Sequence, residues 1–205
     1  MSVLVKICGI TNLEDGLAAA EAGADAVGFV FHPASPRFIT TEVAARILTQ
    51  LPPSLVKVGL FVDAPAELVV RAIGECGFNL LQFHGEESPE YCLQFGVMTM
   101  KAFRIRDEAS LAILDNYPTD AWLLDAYSPE APGGTGKAFN WELAVQAVRR
   151  GKPVFLAGGL TPENVAEAVR QVRPYAVDVS SGVESAPGKK DPGKVRAFIR
   201  AAKGC

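Results

Sequence analysis

The chain has 205 residues, of which 49% are hydrophobic, so it is long enough to bury the core of one domain. Its net charge of −3, with no clustered stripe of Lys and Arg, argues against nucleic acid as a partner. No apolar run approaches the roughly 20 residues that a membrane span requires. We therefore expect a cytoplasmic protein that binds a small molecule and has residues 1–205 as a single domain.

The cysteines favour neither a disulfide framework nor a metal site. Cys8, Cys76, Cys92 and Cys205 are widely spaced and form no Cys-x-x-Cys pair. The chain has only two histidines, so a metal site would need carboxylates from scattered elements. We expect free thiols and no metal.

Short runs rich in Val, Ile, Leu and Phe alternate with segments of helical period along the whole chain. The predicted strands lie near residues 3–8, 26–31, 57–62, 79–83, 98–103, 121–125, 153–157 and 176–180. The predicted helices lie near residues 13–22, 41–50, 65–76, 88–95, 107–115, 140–149, 162–171 and 191–202. Eight units at a mean repeat of roughly 26 residues predict a single-domain (βα)8 TIM barrel of the α/β class. An open doubly wound sheet is the alternative, but no Gly-x-Gly-x-x-Gly follows the first strand.

Local signals support several helix starts. Asn12 is a plausible N-cap for the first helix, and Thr161 for a helix opened by Pro162. Asp191 followed by Pro192 predicts the start of the last helix.

Two long loops rich in glycine and proline follow strands two and six, at residues 32–40 and 126–139. Both connect a strand to the next helix, which places them on the carboxyl-terminal face of a barrel, where such folds carry their active sites. Functional residues are therefore expected there.

Cys8 ends the first strand and is a candidate catalytic thiol, the alternative being a small buried hydrophobe. A helix N-terminus follows within a few residues and favours a thiolate. Lys6 lies on the same side of the strand as Cys8. Asp178 lies near the end of the eighth strand, which would neighbour the first in a closed barrel. We predict a Lys6–Asp178 ion pair; a Schiff-base role for Lys6 is the alternative.

Asp125 ends the apolar run of the sixth strand and is either a cap for the next segment or a catalytic group. Burial would raise the pKa of its carboxyl and let it act as a general acid. The glycines at 133–136 permit close backbone approach to a ligand, although this stretch could equally be a surface loop.

The ends of strands seven and eight predict a phosphate site. Both carry short glycine- or serine-rich turns, whose backbone N–H groups and hydroxyls lie where barrels commonly bind phosphate. The predicted phosphate-binding residues are Gly158, Gly159, Ser180, Ser181 and Gly182, with tight turns alone as the alternative.

Two further side chains are candidate substrate-binding groups. Arg37 could hold a carboxylate in a bidentate fork, against the alternative of a solvated surface charge. His84, on the same strand face as Gln82, either contacts the substrate or satisfies a backbone carbonyl.

Together these motifs resemble the phosphoribosylanthranilate isomerase family of tryptophan biosynthesis. The resemblance covers nearly the whole chain, through the segments at 6–9, 28–31, 35–37, 81–85, 123–125, 133–136, 157–160 and 178–184. It implies an Amadori rearrangement of N-(5-phosphoribosyl)anthranilate without a cofactor.

The resemblance also implies roles for the candidate residues. Asp125 would protonate the furanose oxygen, and Cys8 as a thiolate would take the C2 proton. Arg37 would hold the anthranilate end, while the glycine and serine turns would hold the phosphate. A homodimer is one expected assembly. A different phosphosugar isomerase and a non-catalytic phosphosugar-binding barrel are the alternatives.

Overall fold

The computed structural model describes residues 2–125 and 141–204. Eight parallel strands form a closed barrel in chain order. They are β1 (Leu4–Cys8), β2 (Ala26–Val30), β3 (Val56–Phe61), β4 (Leu80–Phe83), β5 (Met98–Arg104), β6 (Ala121–Asp125), β7 (Val154–Ala157) and β8 (Ala176–Val179). Pairing of β1 with β8 closes the ring, with Lys6 opposite Asp178. The predicted barrel is confirmed, and the open sheet is excluded.

A helix follows each strand, as the sequence predicts. The helices are α1 (Leu13–Glu21), α2 (Thr41–Leu48), α3 (Ala66–Cys76), α4 (Pro89–Leu93), α5 (Glu108–Leu111), α6 (Trp141–Val148), α7 (Val165–Val172) and α8 (Pro192–Lys203). The fifth is shorter than predicted, because the chain continues as a separate 3-10 turn at Leu114–Asn116. The predicted loop at 126–139 lies outside the described residues.

The strands are apolar along most of their length because both of their faces are covered. Inward-facing side chains fill the barrel interior, among them Val58, Met100, Leu123 and Phe155. Outward-facing side chains pack against the helices in a second, larger cluster. No helix in the two described ranges is long and apolar enough to cross a membrane.

Two of the three predicted helix starts are correct. The Asn12 side chain accepts a hydrogen bond from the Asp15 backbone at 2.8 Å, and Asp191 caps α8. Thr161 is not the N-cap of α7, because residues 162–164 form a turn before the helix. In that turn Asn164 Oδ1 accepts from the Thr161 backbone at 2.8 Å, so α7 begins only at Val165.

A small hairpin follows the barrel and was not predicted. It pairs β9 (Glu184–Ala186) with β10 (Lys189–Lys190) in antiparallel fashion. The Thr11 hydroxyl donates to the Gly188 carbonyl at 2.6 Å. A Cβ atom at Gly188, which has a φ of 78°, would lie 2.8 Å from the Pro36 carbonyl oxygen. The hairpin therefore packs closely on the loops that follow β1 and β2.

Candidate active site

The carboxyl ends of the strands surround a cavity of about 480 Å³, a volume suited to a small ligand. Each of the nine residues predicted for the site lines it: Cys8, Arg37, His84, Asp125, Gly158, Gly159, Ser180, Ser181 and Gly182. They come from six different strand ends, so only closure of the barrel brings them together. Within the described ranges, no three His, Cys, Asp or Glu side chains are arranged to hold a metal ion.

Cys8 is buried at the end of β1, opposite Gly28 of β2. A Cβ atom at Gly28 would lie 2.8 Å from the Cys8 sulfur and 3.2 Å from Lys6 Nζ. The thiol and the ammonium group therefore share the space that this glycine leaves open.

Lys6 forms the predicted ion pair, with its Nζ atom 2.9 Å from Asp178 Oδ1. Burial, the largest single effect, would lower the pKa of Lys6, but Asp178 and Cys8 together outweigh it and raise that pKa above the ordinary value. Lys6 is therefore an ammonium group at neutral pH. This argues against the Schiff-base alternative, which requires a neutral amine.

The expectation of a thiolate at Cys8 needs correction. Burial raises the pKa of the Cys8 thiol, and the opposing effect of Lys6 does not cancel that increase. Helix α1 begins only at Leu13, five positions further along the chain. Cys8 is therefore a thiol in the resting site, beside a cation that would stabilise its ionised form.

Asp125 ends β6 and contacts a histidine. Its Oδ2 atom lies 3.3 Å from His84 Nε2, and both side chains are 22% exposed. Asp125 is thus only partly buried, contrary to the expectation. The Gln82 amide nitrogen lies 3.0 Å from His84 Nδ1. Because an amide nitrogen can only donate, Nδ1 of His84 is the acceptor. The imidazole proton is therefore on Nε2 and points at Asp125.

Gln82, Arg104 and His32 also line the cavity but were not predicted as site residues. Gln82 is buried, and its Oε1 atom has no hydrogen-bond partner among the described residues. That oxygen is therefore a buried acceptor beside the cavity, left without a partner in the described ranges. Side chains alternate between the two faces of a strand, so Gln82 and His84, two positions apart, lie on the same face. This spacing was the sequence signal for the location of Gln82.

The two turns predicted to bind phosphate lie against each other. A Cβ atom at Gly182 would lie 2.0 Å from the Leu160 carbonyl oxygen, so only glycine allows this approach. Gly158 and Gly159 both have positive φ values, of 82° and 65°. The turns together line one side of the cavity.

Arg37 lines the cavity, but its guanidinium already holds a carboxylate of the protein. Its Nε and Nη2 atoms each lie 2.7 Å from an oxygen of Glu184. Lys190 Nζ lies 2.9 Å from Glu184 Oε1. Burial opposes ionisation of Glu184, but Arg37 and Lys190 hold the pKa of its carboxyl below the usual value. Neither Glu184 nor Lys190 was predicted as a site residue.

Comparison with known proteins identifies a family. The model of the N-(5'-phosphoribosyl)anthranilate isomerase family matches residues 5–201. The N-(5'-phosphoribosyl)anthranilate isomerase of Trichlorobacter lovleyi is 59% identical over 201 residues, which are 98% of each chain. That of Geobacter sulfurreducens is 57% identical over 202 residues, 98% of this chain and 99% of the relative.

Solved structures give the same result. The phosphoribosyl anthranilate isomerase of Thermotoga maritima superposes with a TM-score of 0.93 at 47% identity, covering 99% of this chain and all of that one. A second phosphoribosyl anthranilate isomerase is in complex with reduced 1-(o-carboxyphenylamino)-1-deoxyribulose 5-phosphate. It has a TM-score of 0.90 at 44% identity and covers 99% of this chain and all of that one.

Proposed function

Because the chain belongs to the N-(5'-phosphoribosyl)anthranilate isomerase family and is an isomerase of tryptophan biosynthesis, we propose that Cys8 and Asp125 are its base and its acid. The reaction is the Amadori rearrangement of N-(5-phosphoribosyl)anthranilate to 1-(2-carboxyphenylamino)-1-deoxyribulose 5-phosphate. The observation that carries the assignment is that Cys8 and Asp125 line one cavity together with the glycine and serine turns. No cofactor is needed, since both steps are proton transfers.

Asp125 is the general acid in the first step. Its carboxyl proton goes to the furanose ring oxygen as the bond between that oxygen and C1 breaks. The nitrogen lone pair forms the C1=N bond, which gives a protonated Schiff base. The Nε2 proton of His84, 3.3 Å from Asp125, stabilises the carboxylate that remains.

Cys8 is the general base in the second step. The protonated Schiff base acidifies the proton on C2. Cys8 must first lose its own thiol proton to solvent, and the resulting thiolate then takes the C2 proton to leave an enolamine. The enolamine then tautomerises to the ketone by gaining a proton at C1 and losing the proton of its C2 hydroxyl. Lys6, held by Asp178, is the cation that reduces, without cancelling, the cost of ionising the buried thiol.

The remaining site residues bind the two charged ends of the substrate. Gly158, Gly159, Ser180, Ser181 and Gly182 hold the phosphate through backbone N–H groups and hydroxyls. Arg37 holds the anthranilate carboxylate with the guanidinium donors that Glu184 leaves available. His84 contacts the substrate from beside Asp125.

The assembly and location belong to the same proposal. A structure of monomers derived from the dimeric isomerase of Thermotoga maritima has a TM-score of 0.88 with this chain. If the protein is a homodimer, light scattering during size-exclusion chromatography should give twice the chain mass of 21.8 kDa.

The free thiols of Cys8, Cys76 and Cys92 suit the reducing cytoplasm. We further propose that residues 1–205 form one catalytic domain, since the barrel uses strands from both ends of the chain.

The activity itself is tested with purified protein and freshly prepared substrate. Anthranilate fluorescence should fall as product forms, and mass spectrometry should find the product at the mass of the substrate. Its reduction by borohydride should then add two hydrogens at the new ketone. Saturable binding without any loss of fluorescence would instead identify a non-catalytic phosphosugar-binding barrel.

A further inference from the structure

The hairpin of β9 and β10 places two buried charged side chains behind Arg37. Glu184 is 8% exposed and Lys190 is 1% exposed, and the two residues pair across the hairpin. The backbone of Lys190 is held in turn by the Asp15 carboxylate, which accepts its N–H at 2.8 Å. The hairpin is therefore a fixed support rather than a loose loop end.

Arg37 is held on two sides. The Glu184 carboxylate accepts hydrogen bonds from its Nε and Nη2 atoms, each at 2.7 Å. A Cβ atom at Gly9 would lie 2.5 Å from Arg37 Cδ, so the aliphatic part of the side chain lies directly over the backbone that follows Cys8. A guanidinium has five N–H donors, and the fork with Glu184 uses two of them. The direction of the remaining donors is set by the first two.

The combined charge of Arg37, Glu184 and Lys190 still favours the binding of an anion. Arg37 and Glu184 alone would cancel, but Lys190 adds a second positive charge 2.9 Å from Glu184 Oε1. The three side chains together carry a net charge of one positive unit. Lys190 Nζ also lies 3.3 Å from the Ser180 carbonyl oxygen, which connects the hairpin to the phosphate turn.

We infer that Glu184 is a positioning residue that fixes Arg37 in the orientation that receives the carboxylate of the anthranilate ring. The inference rests on the proposed role of Arg37. A free arginine side chain loses rotamer freedom when it binds a ligand, and one that is already ordered does not. Glu184 would thus act on substrate affinity rather than on the proton transfers, and it would act only through Arg37.

The test is a double-mutant cycle of Glu184→Gln and Arg37→Ala, with folding checked by circular dichroism. Glu184→Gln should raise KM about tenfold and change kcat by less than about threefold, since a charge-assisted fork is lost. Inhibition by anthranilate should weaken by a similar factor. Inhibition by inorganic phosphate should weaken by less than about twofold, because the phosphate turns keep their contacts. In the Arg37→Ala background, Glu184→Gln should have no further effect on KM.

Asp115→Asn is the matched control, since it removes a carboxylate from an exposed ion pair with Arg150. It should leave KM and both inhibition constants unchanged. If Glu184→Gln fails to fold, Glu184→Asp keeps the charge on a shorter side chain and should raise KM about threefold with phosphate binding unchanged.

Three outcomes would overturn the inference, and they are distinguishable. An equal KM increase by Glu184→Gln with and without Arg37 would show that Glu184 does not act through Arg37. Equal weakening of anthranilate and phosphate binding would show a general structural role. If Arg37→Ala left KM unchanged, the proposed role of Arg37 would itself be wrong, and the inference would go with it.

Discussion

At the scale of single residues, the pKa of Cys8, the proposed base, is set by effects that oppose one another. Burial raises the pKa of Cys8, Lys6 lowers it, and Asp178 raises it again. A residue type and its place at a strand end were enough to predict that Cys8 lies at the cavity. The sign of its pKa shift was not predictable, because it depends on how deeply the folded barrel buries the sulfur.

The titration of Cys8 follows from these contacts. Because the thiol is the favoured form, its alkylation by iodoacetamide should increase with pH and have a midpoint above the usual thiol value of about 8.5. Lys6→Met should shift that midpoint further up, since it removes the neighbouring cation. Mass spectrometry of the tryptic peptides separates Cys8 from the other cysteines.

Cys76 and Cys92 are internal controls in that experiment. Burial raises the pKa of Cys76 to about 11 and that of Cys92 to about 12, so neither should react at pH 9. A midpoint for Cys8 well below 8.5 would contradict the account and favour a resting thiolate.

At the scale of elements, the strands were predictable because each is an apolar run that ends at a polar residue or a glycine. That pattern predicts that Cys8, Asp125 and the glycine and serine turns lie at one face of the barrel, and all of them line the cavity there. The hairpin that contains Glu184 was not predictable, because strands of three and two residues are too short to show a period. Its pairing with Arg37 joins residues 147 positions apart in the chain.

The packing of β1 against β2 gives a prediction for Gly28→Ala. Its new Cβ atom would lie 2.8 Å from the Cys8 sulfur, which must then move in a buried site. We expect kcat to fall about tenfold or more, because displacement of a catalytic group by less than an ångström already weakens proton transfer. Steady-state kinetics of the variant and the parent measures this change in kcat.

Gly74→Ala is the control for this change. Gly74 lies within α3, and a Cβ atom there would meet no atom within 4 Å. Since alanine favours a helix over glycine by about 0.5–1 kcal/mol, this variant should unfold at a slightly higher temperature with unchanged kcat. Equal kcat values for the two variants would show that the space at Gly28 is not needed.

At the scale of the whole molecule, the barrel is closed by contacts between the two ends of the chain. Lys6 and Asp178 are 172 positions apart, and they form a buried ion pair where β1 meets β8. The sequence predicted this pair because the register of a closed barrel brings the two strands together. Nothing in the sequence indicated which other charged side chains would lie near the Lys6–Asp178 pair.

The pair should contribute strongly to stability. Asp178→Ala leaves Lys6 buried without its carboxylate, which costs about 3–5 kcal/mol in the free energy of unfolding. Asp115→Ala, in an exposed pair, should cost at most about 1 kcal/mol. Urea denaturation followed by circular dichroism at pH 7 compares them, and similar losses in the two variants would contradict a closing role for the buried pair.

The most direct test of the whole account is the steady-state rate of Cys8→Ala and Asp125→Asn in the fluorescence assay. Both variants keep the shape of the site and remove one proton-transfer group each. We expect kcat/KM to fall by about 10²–10⁴-fold in each, with the binding of inorganic phosphate preserved. A variant of either residue that retained the activity of the parent would contradict the assignment of this acid and this base.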